Sequence, residues 1–220
     1  MNPEKSPPLS TKDRILDAAE VLFADLGFEA TSLRTITQIA GVNLAAVNYH
    51  FQSKEALLLA VLGRRAEQVN GRRLELLDRA EAKGDASVEE ILEALFRPVL
   101  ESGPTLPRLL VRLQYLESQD LFRKVFDNYM KAVKHRMLAA MRKAVPHLEP
   151  ADIMLRVVFS FGSFASVLIA GVMTEVVSEG GMKAPELEER LQAMIQFAAA
   201  GMRAPVVRKP AKTGERICVE

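Results

Sequence analysis

The sequence predicts an all-α protein of about nine helices, arranged as a small N-terminal head joined by one long helix to a larger body. Three observations lead there. Hydrophobic residues make up 49% of the 220-residue chain and aromatics only 6%, with Ala, Leu, Met, Glu, Lys and Arg, all good helix formers, in the majority. Apolar residues recur at three- and four-residue spacing, and Gly and Pro fall between the periodic segments. No alternating apolar run is long enough for a sheet, and no internal repeat is present.

Residues 1–10 hold Pro3, Pro7 and Pro8 without the apolar stretch of a signal peptide, and are expected to be a disordered leader. The first helix places Ile15, Ala18, Ala19, Leu22, Phe23 and Leu26 on one face, with Ser10 or Thr11 as its cap and Gly27 as its stop. Thr31 or Ser32 caps a short second helix whose inward face is Leu33, Ile36, Ile39 and Ala40; a turn follows at Gly41. Asn43 caps a third helix through Phe51, and Ser53 a fourth from Lys54 to about Ala82. Ser87 and Glu90 have capping-box spacing and open a fifth through about Glu101. Further helical patterns cover Leu106 to Ser118, Asp120 to Ala144, Ala151 to Val177 and Pro185 to Met202. Residues 204–220 show no apolar period and are expected to form a disordered tail. The head is thus 11–53 and the body 54–203, with 54–82 as the connecting helix.

The segment from Thr31 to Phe51 carries the strongest chemical signal. Two helices of about two turns each meet at Gly41, the arrangement of a helix-turn-helix. Val42 and Val47 face inward, which leaves Ala45, Ala46, Asn48 and Tyr49 outward on the third helix. These side chains fit a major groove: Asn48 can bond base edges and the alanines can meet thymine methyls. Between Ala30 and Lys54 there is no Asp or Glu, whereas the preceding twenty residues contain five. Arg34, Lys54 and a protonatable His50 are the cations on hand for phosphate, with the hydroxyls of Thr31, Ser32 and Tyr49. The formal net charge of +1 excludes a histone-like polycation, so two heads on a dimer are expected to share the work of binding double-stranded DNA.

The block from Ile15 to Leu62 resembles the N-terminal domain of tetracycline-repressor (TetR) family regulators. The resemblance is carried by Gly27-Phe28, Thr31-Ser32, Ile39-Ala40-Gly41-Val42, Tyr49-His50-Phe51 and Ser53-Lys54-Glu55-Ala56-Leu57. By position it implies base contacts from Arg34, Leu44, Ala45, Ala46 and Asn48, and phosphate contacts from Thr31, Tyr49, His50 and Lys54. Leu44 also sits three residues before Val47, where it can be core.

In the body, Val157 to Thr174 contains no charged residue. Its serines and the lack of a companion span argue for a buried helix over a membrane span. Gly162, Ser163, Ser166 and Ala170 form a small side, assigned to a homodimer interface with Leu187, Leu191, Met194, Ile195, Ala198 and Met202 of the last helix. The bulky side is Val157, Phe161, Phe164, Leu168 and Val172. With Phe96, Leu109, Leu113, Tyr115, Met130 and Met137 it lines an apolar effector cavity or simply fills the core. The TetR resemblance implies a dimer bundle from the last two helices. Arg156-Val157 and Ala199 to Arg203 resemble the subgroup that answers to long-chain fatty acids or their CoA esters, with Arg97, Arg108, Arg112 or Arg156 meeting the head group.

Other classes lack support. The chain has no nucleophile elbow, Gly-rich phosphate loop, His-Glu metal spacing or paired carboxylates in an apolar run, so an enzyme, a cofactor and a metal are not expected. Its one cysteine, Cys218, forms no internal disulfide, in keeping with a cytoplasmic protein. The expectation is a repressor on a pseudopalindromic operator, released by a small apolar effector; the rivals are an all-helical enzyme and an interaction protein that does not touch DNA.

Overall fold

The structure, a computed structural model, describes residues 9–115 and 119–206. The expected leader up to Pro8, the tail beyond Val206 and Cys218 lie outside the described residues. Among the described residues there are ten helices: α1 (Thr11–Leu26), α2 (Leu33–Ala40), α3 (Leu44–Phe51), α4 (Lys54–Glu81), α5 (Val88–Glu101), α6 (Thr105–Tyr115), α7 (Gln119–Tyr129), α8 (Lys131–Ala144), α9 (Pro150–Val177) and α10 (Leu187–Arg203). The additional helix arises because the segment expected to run unbroken from Asp120 to Ala144 divides at Met130, with no Gly or Pro to announce the break.

Local sequence sets most boundaries. The side chains of Ser10, Ser32, Asn43, Ser53 and Ser87 each accept a backbone N–H three residues on, and Ser87 with Glu90 forms a full capping box. At the end of α2, Gly41 adopts φ 64°, its N–H donates to Gln38 O and the Val42 N–H to Thr37 O. This paired closure turns the chain sharply into α3, and a residue with a Cβ would be strained there.

The head is α1 to α3 packed on the start of α4. Ile15, Ala19, Phe23, Ile36, Val47, Phe51, Leu57 and Leu58 are all buried in it. Leu26 and Ile39, expected inward, are exposed; each lies at the edge of its helix's apolar stripe. In the body α4 packs on α5, α7 and α8, α5 on α8 and α10, and α9 on α10. α6 touches α1 as well as α5, α7 and α9, so the body reaches back to the head by a second route. Among the described residues α9 is the one helix long and apolar enough to cross a membrane, with mean hydropathy 2.0 and 22% of that window buried.

Candidate functional site

Asn43 Oδ1 accepts the Ala46 N–H at 2.9 Å, and this cap aims α3 outward from the tight turn. Val47 and Phe51 anchor its inner face. Asn48, Tyr49 and His50 are exposed, Tyr49 by 83%, with the Tyr49 and His50 rings edge-to-face at 5.1 Å. Leu44 is exposed too, which removes the core alternative for it; Ala45 is exposed and Ala46 half-buried. Arg34 is exposed on α2, and Ser32 is exposed at its start, where its Oγ accepts the Thr35 N–H at 3.0 Å. Of the residues read as DNA contacts, Ser32, Arg34, Leu44, Ala45, Asn48, Tyr49 and His50 are exposed and Ala46 half-buried, while Thr31 and Lys54 are placed otherwise.

Thr31 is only 1% exposed, and its hydroxyl lies 2.6 Å from Gly27 O and 3.2 Å from Leu22 O. It ties the end of α1 to the loop and is turned away from solvent, so it does not offer its hydroxyl to phosphate. Lys54 is half-buried, and its Nζ donates to Phe28 O at 2.9 Å, Thr31 O at 3.2 Å and Glu29 O at 3.4 Å, above the Phe28 ring at 4.4 Å. An ammonium has three donors, and these contacts engage them all. Lys54 braces α4 against the α1–α2 loop; its charge still adds to the field of the face, but a direct phosphate bond requires one of these contacts to open.

The joint between head and connecting helix is ionic. Glu20, 4% exposed on α1, accepts from Arg64 Nη2 at 2.7 Å and Arg65 Nε at 3.0 Å, both on α4, and Arg64 Nη1 also bonds Asp17 at 2.7 Å. From α6, Arg112 donates to Asp25 O at 2.7 Å and Arg108 pairs with the Asp25 carboxylate at 3.0 Å. Lys124 of α7 pairs with Glu55 of α4 at 3.0 Å. Polar contacts thus tie α1 to both α4 and α6, and α7 to the start of α4.

The body encloses a cavity of about 360 Å³. Phe96, Met130, Met137, Val157, Phe161 and Phe164 are in its lining, with Phe96 stacked on Phe164 at 4.7 Å and edge-on to Phe161 at 5.3 Å. Leu109 and Leu113 do not; they are core residues of α6. Leu168 and Val172 lie beyond the lining, half-buried and exposed respectively. Tyr115 is exposed, and a Cβ placed on Gly162 would sit 3.5 Å from its hydroxyl.

The four arginines proposed to meet a head group all have other partners. Arg97 is held by Glu93 and Glu188, Arg108 and Arg112 by Asp25 as above, and Arg156 caps α10 through Gly201, Met202 and Ala204 carbonyls. The cations in the lining are instead Arg73 and Lys134. Arg73 was detectable, since it interrupts the row Leu62, Ala66, Val69, Leu77 on the inner face of α4.

The outward face of α9 also differs from expectation. Leu155, Phe159, Ile169, Met173 and Val176 are exposed, Phe159 by 62%, at alternating heptad spacing with half-buried Gly162 and exposed Ser166 between them. Ser163 and Ala170 are half-buried beside this row. On α10, Leu191, Met194, Ile195, Ala198 and Met202 are buried within the chain itself, because α10 lays that side on α5 and α9. Leu187 and Phe197, the latter 73% exposed, are what its outer surface offers. Among the described residues no three His, Cys, Asp or Glu side chains converge as a metal site.

Comparison with known proteins covers both parts. The profile of bacterial regulatory proteins of the tetR family matches residues 15–61, and that of the tetracyclin repressor-like C-terminal domain matches residues 93–201. The HTH-type transcriptional repressor KstR2 of Mycolicibacterium smegmatis is 37% identical over 75 residues, which is 34% of this chain and 37% of that protein. The probable HTH-type regulator YttP of Bacillus subtilis is 32% identical over 130 residues, 58% of this chain and 61% of that one. The matched stretch is therefore less than two thirds of either relative. The fatty acid degradation regulator FadR of Bacillus halodurans shares the fold, with a TM-score of 0.61 at 19% identity over 92% of this chain and 100% of that one. With a helix-turn-helix head and a helical body that both match, this chain belongs to the TetR family of bacterial regulators.

Proposed function

We propose that the protein is a dimeric, DNA-binding transcriptional repressor, cytoplasmic and without catalytic activity, that leaves its operator when a small apolar effector enters the body cavity. The exposed, carboxylate-free face of α3 carries this reading. Leu44, Ala45, Ala46 and Asn48 meet base edges; Ser32, Tyr49 and His50 meet phosphates; Arg34 stands beside them on α2. One head presents few cations, so useful affinity depends on two. The exposed row on α9, with Gly162 and Ser166 admitting close approach and Phe197 alongside, is the surface where a second copy covers apolar side chains that water now meets.

Effector control follows from α4 and α6. α4 lines the cavity at Leu62, Ala66 and Val69 and reaches the head at Lys54, so a ligand that favours one tilt of α4 changes the separation of the two α3 helices. The apolar lining suits a long-chain fatty acid or a derivative, in line with the resemblance read from the sequence. Gel-shift titration with purified protein tests the core of this reading. A pseudopalindromic site should bind far more tightly than random DNA, and Tyr49→Ala should weaken it at least tenfold with the dimer intact; no preference over random DNA refutes it.

A further inference from the structure

Arg73 sits where a buried cation is ordinarily paired, and among the described residues no carboxylate pairs with it. Its side chain is 4% exposed on the inner face of α4. Nε donates to Leu95 O at 2.9 Å; Nη1 lies 2.9 Å from Asn70 Oδ1 and 3.1 Å from Met130 Sδ. These acceptors are neutral, and the two donors on Nη2 have no protein acceptor among the described residues. α5 is shaped around the contact: Pro98 has no N–H for the Ala94 carbonyl, and one residue on, the Leu95 carbonyl turns to Arg73. Burial alone pushes the guanidinium down to about 10, with no carboxylate to raise it again.

The surroundings are equally one-sided. Among the described residues the cavity lining holds Arg73 and Lys134 and no Asp or Glu, while the remainder is mostly Leu, Val, Phe and Met. Lys134 is half-buried, with Nζ 5.9 Å from the Phe126 ring centre. Leaving a charge in such a place is unfavourable unless something completes it. A cavity of about 360 Å³ falls within the roughly 300–1,000 Å³ typical of small-ligand sites.

We propose that Arg73, steadied by Asn70, is an anion anchor that receives the free carboxylate of an apolar monocarboxylic acid whose hydrocarbon body fills the cavity. This rests on the effector reading above and narrows it. A planar guanidinium pairs with a carboxylate through two parallel N–H donors, which an ester or thioester carbonyl cannot match. The free acid is therefore the ligand, and a CoA ester is not. The anchor also explains release: the incoming anion competes with Leu95 O and Met130 Sδ for Arg73, and so loosens α4 from α5 and from the Met130 break between α7 and α8.

Calorimetric titration of the full-length dimer with dodecanoate, 1-dodecanol and methyl dodecanoate, at neutral pH and below micelle-forming concentrations, tests this. The unmutated protein should bind dodecanoate about tenfold to a hundredfold more tightly than either neutral analogue, the range expected for a charge-assisted hydrogen bond. Arg73→Met should bring the ratio of acid to alcohol affinity close to one, and Arg73→Lys should keep part of the preference. Equal binding of acid and alcohol by the unmutated protein leaves the cavity standing and overturns the anchor, as does a preference that survives Arg73→Met. No binding of any of the three overturns the effector cavity itself, and the anchor with it.

Discussion

Two buried charges meet α4 less than three turns apart, Glu20 from α1 through Arg64 and Arg65, and Arg73 on the helix itself, and they are treated in opposite ways. At the head end of α4, Arg64 and Arg65 close on Glu20 of α1, and the buried carboxylate is satisfied from two sides. Further along, Arg73 is as deeply buried as Glu20 and faces only neutral acceptors. A compensated charge holds one geometry, here the angle between head and connecting helix. An uncompensated one at a cavity wall is a site waiting for a partner. On the function proposed above, α4 would then join a fixed hinge to a ligand sensor, the construction a releasable repressor needs.

The sharpest way to break this contrast is to strand Glu20. Arg64→Ala with Arg65→Ala leaves a buried carboxylate unpaired and should destabilise the fold by about 3 kcal/mol in urea denaturation, at the lower end for a broken buried pair because both arginines are partly solvated. Phe159→Glu puts a charge into the exposed α9 row. It should raise the dimer dissociation constant about a hundredfold in analytical ultracentrifugation, and operator affinity should fall with it. Arg73→Met, by contrast with the first pair, should move stability by no more than about 1 kcal/mol, since an unpaired buried cation is exchanged for an apolar side chain.

The smallest effect separates the two kinds of charge by pH. Glu89, through its hydrogen bond from Arg203, and Glu188, through that from Arg97, sit below the usual carboxylate range. The stability they contribute is complete above their unfolded values near 4.5 and is lost as pH falls through the lower folded values. Arg73 works at the other extreme. Its folded value of about 10 lies below that of the free side chain, so the unfolded chain binds the extra proton between them and stability rises with pH across that window. The difference between unmutated protein and Arg73→Met, followed by chemical denaturation at alkaline pH, should show that slope.

The head was legible because its rules are local. Caps at Ser32, Asn43 and Ser53, the left-handed Gly41 and the run without carboxylates are all written within a few residues of where they act. Thr31 and Lys54 show the limit: their residue types suit phosphate, but contacts with Leu22, Gly27 and the Phe28 loop, set by tertiary packing, claim them first. The body was legible only as helices. The break at Met130 leaves no trace because the apolar period continues through it, and the side of α10 that pairs within the chain cannot be told by composition from a side that pairs with another. Arg73 stood in the apolar row of α4 as a visible exception, though only the structure shows that it lacks a carboxylate.

The central claim is that the exposed face of α3, presented twice by a dimer, reads DNA. Selecting bound sequences from random duplexes with the purified protein tests it most directly. The account predicts an enriched pseudopalindrome whose half-sites lie about one helical turn apart or a multiple of it, and a lost or altered preference with Asn48→Ala, whose side chain is read as facing base edges. A pool that stays random with the unmutated protein, or the same site enriched unchanged by Asn48→Ala, would contradict it.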